Sequence, residues 1–151
     1  MAEIRLSTFI NAPLETCFDL SRSIEVHLKS TAKTNEKAIA GRTTGLCELH
    51  DTITWQATHF GVSQKLSVKI TKMNQPYFFE DTMLKGAFSA MRHEHHFEKI
   101  YGKTKMSDLF IYTVPLGFIG RMVDALILEK YMTNFLLERN RTIKELAESS
   151  A

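Results

Sequence analysis

Between Leu46 and Pro115 apolar positions recur at every second residue, and beyond Pro115 they recur every three or four. The first spacing predicts strands and the second a helix. Turn signals at Phe60-Gly61, Met73 to Pro76, Lys85-Gly86 and Tyr101-Gly102-Lys103 divide the alternating region into five antiparallel strands. Upstream, Ile4, Leu6, Thr8 and Ile10 alternate with Glu3, Arg5, Ser7 and Phe9, a further short strand. Asn11-Ala12-Pro13 then starts a helix, since proline is tolerated in a first turn and Glu15 suits the positive end of the helix dipole. Leu14, Cys17, Phe18 and Leu20 form its apolar face, and a second short helix opens at Ser23. The polar stretch from Lys29 to Gly45 reads as a surface loop, with a lid or a plain connector both open. The closing helix is expected from about Phe118 to Ala147, with Ile119, Met122, Val123, Leu126, Ile127, Tyr131, Phe135, Ile143 and Leu146 as its apolar positions. By layer rules this order is α+β, a curved six-strand antiparallel sheet around one long helix, in a single domain over residues 1–151.

Composition narrows the function more than the fold. At 44% hydrophobic and 24% charged the chain lies outside the regime of disorder. Its formal charge is only +2, with basic and acidic residues interspersed, so nucleic acid is not an expected partner. Cys17 and Cys47 form no CxxC and no secretory leader precedes them, which points to reduced thiols in the cytosol. The most apolar run, Leu109 to Gly120, is about twelve residues against the roughly 20 that a spanning helix requires, and it contains Pro115 and Gly117. No integral membrane segment is expected.

The segment FSAMRHEHHFEKI, Phe88 to Ile100, puts three of six histidines within four residues and raises the question of a metal. On a strand, Met91, His93, His95 and Phe97 share one face, while Arg92, Glu94, His96 and Glu98 share the other. The three histidines therefore cannot converge on one ion. A two-histidine HxH site completed from other strands stays open; the expectation adopted is that no metal or other cofactor is bound. The same alternation places Ile53, Trp55, Ala57 and His59 inward, then Leu66, Val68 and Ile70. In the next strand the inner set is Phe79, Asp81 and Met83, although the phase with Phe78 and Leu84 is nearly as apolar. In the last strand, Met106, Asp108, Phe110 and Tyr112 face inward if the turn at Tyr101-Gly102-Lys103 sets His95 opposite Asp108. A carboxylate so placed is expected to raise the His95 pKa against the effect of burial. Leu109 and Ile111 then face outward, which is compatible with a homodimer contact.

An inner face bearing Trp55, His59, Asp81, His93, His95, Asp108 and Tyr112 is too polar for a solid core and reads as a pocket wall. The stretches INAPLETCFDL, DTITWQATHFG and LKGAFSAMRHEHHFEKIYGKTKMSDLFIYTVPLG, with the final helix through Arg139, resemble the START-like superfamily of lipid-transfer domains, birch-pollen-type allergens and polyketide cyclases (SRPBCC), in a bacterial branch of it. The resemblance implies a helix-grip fold with a cavity for lipids, sterols, quinones or polyketides between sheet and helix. Relatives commonly carry a polar residue, often Gln, where Met83 stands, and Pro where Ala87 stands. The leading expectation is binding or transport of a hydrophobic small molecule, to which flexible Met83, Met91, Met106 and Met122 would adapt. The alternative is a cyclase, dehydratase or aromatase acting on a bound carbonyl compound, with His95 as base, Asp108 orienting it and Tyr112 donating to the carbonyl oxygen.

Overall fold

A computed structural model describes residues 1–115 and 121–149, the first five residues of the last helix by their backbone alone. Strand β1 (Ala2–Ile10) is followed by helices α1 (Leu14–Ser21) and α2 (Ile24–Ser30) and a 3-10 turn at Ala32–Thr34. Then come β2 (Lys37–Gly41), β3 (Thr52–His59), β4 (Val62–Asn74), β5 (Phe78–Lys85), β6 (Ala90–Ile100), β7 (Lys103–Thr113) and the long helix α3 (Arg121–Ser149). All seven strands join one antiparallel sheet in the order β1-β7-β6-β5-β4-β3-β2. The class is the expected α+β, with one strand more than expected. Strand β2 arises inside the polar stretch read as a loop, and its alternation was invisible because an edge strand has little to bury: four of its five residues are exposed.

The local signals explain the elements. Pro13 caps α1 with Glu15 in its first turn, and the Ser23 hydroxyl caps α2 by accepting from the Val26 amide at 3.2 Å. Phe60-Gly61 and Tyr101-Gly102 all adopt positive φ, the geometry of two-residue hairpin turns, and they join β3 to β4 and β6 to β7. Register shifts between Ala38 and Ala40 in β2, and at Ser67/Val68 and Ile70/Lys72 in β4, are bulges that bend the sheet. The bent sheet wraps α3, with α1 and α2 closing one side.

The expected strand faces hold. Ile53, Trp55 and Ala57, then Val68 and Ile70, then Met91, His93, His95 and Phe97, then Met106, Asp108, Phe110 and Tyr112 are all buried. In β5 the phase with Phe79 inward is adopted, Phe79 being buried and Leu84 exposed. Phe18 of α1 is fully buried edge-on to Phe79 and Phe97, at ring separations of 5.6 and 5.4 Å, and so ties α1 to the sheet.

Helix α3 requires a correction. Its buried stripe is Leu136, Arg139, Asn140, Ile143 and Ala147, spaced by three and four. Leu126 and Ile127, counted as packed positions, are 68% and 53% exposed, so hydrophobicity alone misplaced the buried face. Phe118 and Ile119 lie outside the described residues, as do the side chains of Met122 and Val123.

Candidate functional site

A cavity of about 310 Å³ opens between the concave face of the sheet and α3. Most of its wall is aliphatic or aromatic, including Ile53, Val68, Ile70, Phe79, Met91 and Leu136. Among the predicted site residues Trp55, His59, Asp81, His93 and His95 line it. Asp108 lies behind the histidines, 4% exposed. Tyr112 belongs to the packed core with its ring against Phe88 and Phe110, and Met83 is partly buried against the same core. These three do not appear in the wall formed by the described residues.

The polar part of the wall is a connected network. β6 and β7 pair with His95 directly opposite Asp108, as the turn predicted. The side chains nevertheless lean diagonally: His93 Nε2 donates to Asp108 Oδ1 at 2.8 Å, while His95 Nε2 lies 2.8 Å from Asp81 Oδ2 on β5. His95 Nδ1 remains 3.8 Å from Asp108. The expected His95–Asp108 hydrogen bond is therefore replaced by two pairs, His93–Asp108 and His95–Asp81, because a side chain in a twisted sheet can reach a diagonal neighbour as readily as an opposite one.

Helix α3 completes the network with two residues that strand alternation could not supply. Arg139 Nη2 approaches His95 Nδ1 at 3.3 Å and Nη1 donates to Asn140 Oδ1 at 2.9 Å. Asn140 Nδ2 in turn donates to Asp108 Oδ2 at 2.7 Å, and the guanidinium lies 3.6 Å from Asp108 Oδ1. A guanidinium can only donate, so His95 Nδ1 must accept and the ring proton must sit on Nε2, donating to Asp81. Stacking of His95 on Phe79 at 4.0 Å holds the ring in that plane. One signal for these residues existed in the sequence: a charged residue and an amide inside an apolar stripe spaced by three and four.

The same arrangement reverses the expected shift of His95. Burial acts first, and the charges of His93 and Arg139 reinforce it, holding His95 well below the ordinary histidine value despite the opposite pull of Asp108. Burial raises the Asp81 carboxyl. Asp108 is held below the usual carboxylate range because the His93 hydrogen bond and nearby positive charges outweigh its burial.

Donor atoms of Asp81, His93 and His95 lie within 4.8 Å of one another, so the third donor an HxH pair would need does come from a neighbouring strand. Both nitrogens of His95 are however engaged, one by Asp81 and the other by Arg139. As arranged, the cluster works as a hydrogen-bond relay anchored by an arginine.

A second polar group lines the cavity from the other side. His59 Nδ1 and the Tyr131 hydroxyl are 2.6 Å apart, and burial lowers His59 and raises Tyr131. His27 of α2 stacks on Trp55 at 4.0 Å and bonds Glu36 Oε1 through Nε2 at 2.8 Å. Neither His27 nor Glu36 was predicted as a site residue: His27 belongs to the expected second short helix, whose cavity-facing side its few residues did not reveal, and Glu36 to the polar stretch read as a surface loop. No described helix is long and apolar enough to cross a membrane.

No protein-family model matches the chain, and no curated protein matches it in sequence. Solved structures do match it in shape. TTHA0849 from Thermus thermophilus superposes with a TM-score of 0.80 at 15% identity, covering 99% of each chain. A START superfamily protein from Mycobacterium smegmatis gives 0.72 at 13% identity, again over 99% of both. The di-domain ARO/CYC protein StfQ of the steffimycin biosynthetic pathway gives 0.78 at 9% identity, with 98% of this chain matching 51% of that one. With the curved antiparallel sheet gripping α3 and a cavity between them, the chain has the START-like helix-grip fold.

Proposed function

We propose that the protein binds and carries a hydrophobic small molecule, such as a lipid, quinone or polyketide-like compound, inside its cavity. The observation that carries this reading is the wall itself: a cavity of about 310 Å³, largely aliphatic and aromatic, in which Asp81, His95 and Arg139 are already held by one another. Apolar walls supply affinity by removing ligand surface from water, and fixed polar groups select orientation. Side chains held in place by one another are ordered before a ligand arrives, which lowers the ordering cost of binding.

Native mass spectrometry of the purified protein should reveal a co-purifying apolar compound. Emission of Trp55, which lines the cavity, should change saturably on titration with long-chain lipids, quinones or aromatic polyketides. Absence of both a bound mass and any saturable response would overturn the proposal.

A second reading, a cyclase-type enzyme acting on a carbonyl compound, is favoured by the cavity-facing Asp81–His95 pair and by the likeness to StfQ, which at 9% identity extends to the fold alone. In that reading His95, neutral near pH 7 and oriented by Asp81 through Nε2, acts as base once its Nδ1 exchanges Arg139 for the substrate, and Tyr131 takes the role first given to Tyr112. Turnover of a carbonyl substrate that falls at least a hundredfold in His95→Gln, on the usual scale of about 10²–10⁴ for general acid–base catalysis, would replace the carrier with the enzyme.

A further inference from the structure

Two carboxyls stand in the polar cluster, and their surroundings differ. Asp108 accepts from His93 at 2.8 Å and from Asn140 at 2.7 Å, and the Arg139 guanidinium lies 3.6 Å away. Asp81 receives one hydrogen bond, at Oδ2, from the His95 ring at 2.8 Å. Its other oxygen, Oδ1, has no hydrogen-bond partner among the described residues, yet it is not buried, since Glu36 Oε2 is the sole buried side-chain atom among them in that state. The Asp81 side chain as a whole is 17% exposed, against 1% for Asp108. On the inner face of β5 it stands between Ile70 of β4 and His93 of β6, both buried, so the surface it keeps opens into the cavity that it lines.

The hydrogen bonds fix what Oδ1 offers there. Arg139 can only donate, so His95 takes that contact at Nδ1 and turns its proton-bearing Nε2 to Asp81 Oδ2. A buried carboxylate stays ionised when several donors or a cation hold it, as Asp108 is held. One donor from an uncharged ring, beside Ile70 and Phe79, does not replace the water that Asp81 has lost, so the acid form is favoured. Burial raises the Asp81 carboxyl while Asp108 is held low, the same split between the two. With Oδ2 accepting, the acid proton belongs on Oδ1.

We infer that Asp81 Oδ1–H donates into the cavity to a carbonyl oxygen of the bound molecule, so the site selects an apolar ketone or quinone. The inference deepens the carrier reading and rests on the cavity being the ligand site. An alcohol can accept the same bond, but its own hydroxyl hydrogen would be left without a partner against the apolar wall. The proton stays on Asp81 in this scheme, and no bond in the ligand is made or broken.

Isothermal titration of acetonaphthone, naphthylethanol and ethylnaphthalene compares one carbon skeleton carrying a ketone, a hydroxyl or neither. The wild type should bind the ketone more tightly than the alcohol. Asp81→Asn keeps an oxygen for His95 and an N–H for the ligand, so that order should persist. In Asp81→Leu the ketone should lose about fivefold or more relative to ethylnaphthalene, the usual net worth of one hydrogen bond. An alcohol bound as tightly as the ketone, or more so, would mean an ionised Asp81 that accepts, and would overturn the inference. A ketone advantage unchanged in Asp81→Leu would also overturn it while leaving the cavity reading intact. Failure of all three probes, ethylnaphthalene included, would overturn both. Should Asp81→Leu not fold, the infrared carbonyl band of bound acetonaphthone, isotopically labelled at that carbon, decides the matter. It should lie below its position in alkane solvent and move part of the way back in Asp81→Asn, whose amide is the weaker donor; a band at the alkane position, or one identical in both proteins, would overturn the inference.

Discussion

Arg139 sets the chemistry of the relay although it sits on a different element from every histidine it controls. It presents a donor to His95 Nδ1, it stands beside Asp108, and its charge helps to hold His95 neutral. In Arg139→Met the His95 pKa should therefore rise, read by NMR titration of the ring carbons; no rise would mean that the Arg139 charge does not hold it down. The same variant frees Nδ1, so zinc measured by elemental analysis should remain below one equivalent in the wild type and increase in Arg139→Met. Asp108 is the second test. Removing its charge leaves Arg139 and His93 buried without their partner, and Asp108→Asn should lose about 3–5 kcal/mol at pH 7 by denaturant unfolding. Because the folded carboxyl is depressed, its contribution is present above the ordinary carboxylate pKa of about 3.9 and is lost as the pH falls through the folded value. The gap between wild type and Asp108→Asn should accordingly narrow below about pH 4. His95 is also depressed, so the unfolded chain binds its proton first and stability falls as the pH drops below about 6.5. Asp81, raised by burial, has the opposite sign, its contribution being lost as pH rises. Strand alternation showed His93 and His95 as inward-facing, while Asp108 also needed the turn at Tyr101-Gly102-Lys103 and Asp81 sat in a strand whose two phases were nearly equal. Their pairing was not legible, because alternation states which face a side chain takes and not which of two nearby acceptors it reaches.

At the scale of elements, β2 is the part the sequence concealed and the part that carries Glu36 into place. Its last residue, Gly41, has φ of +72°, and a Cβ there would collide with the backbone carbonyl of Thr52 on β3. The edge strand thus lies against its neighbour only because this position is glycine. Gly41→Ala should cost about 1–3 kcal/mol in denaturant unfolding, from left-handed strain and the displaced carbonyl together. An unchanged midpoint would show that the edge yields freely. Helix α3 presents the opposite case: its existence was plain from the three-and-four spacing, yet its buried stripe passes through Arg139 and Asn140 and leaves Leu126 and Ile127 exposed. Hydropathy assigns the stripe to apolar residues, whereas the fold gives part of it to polar ones that have partners across the cavity.

For the whole molecule, a ligand that binds only the folded state should raise thermal stability by mass action, about 2.7 kcal/mol at a hundred times Kd. At about 2–4 °C per kcal/mol for a chain of this size, the melting temperature should rise by roughly 5–10 °C with a saturating apolar ligand. No rise with any apolar ligand would leave the cavity without a role. The sequence by itself determined the α+β order, the inner faces of β3, β4 and β6 and the long closing helix, because side-chain periodicity follows directly from the geometry of strand and helix, while β7 needed its turn and β5 stayed nearly even between two phases. It also led to the expectation, met in the structure, that histidines and aspartates share an inner face. Only the tertiary structure decided that His95 answers to Asp81 and Arg139, that Tyr112 is core, and that Glu36 reaches the cavity with an oxygen unmatched. Those outcomes depend on sheet twist, on edge-strand pairing and on the placement of a helix far along the chain, and none of these leaves a local pattern in the residues it brings together.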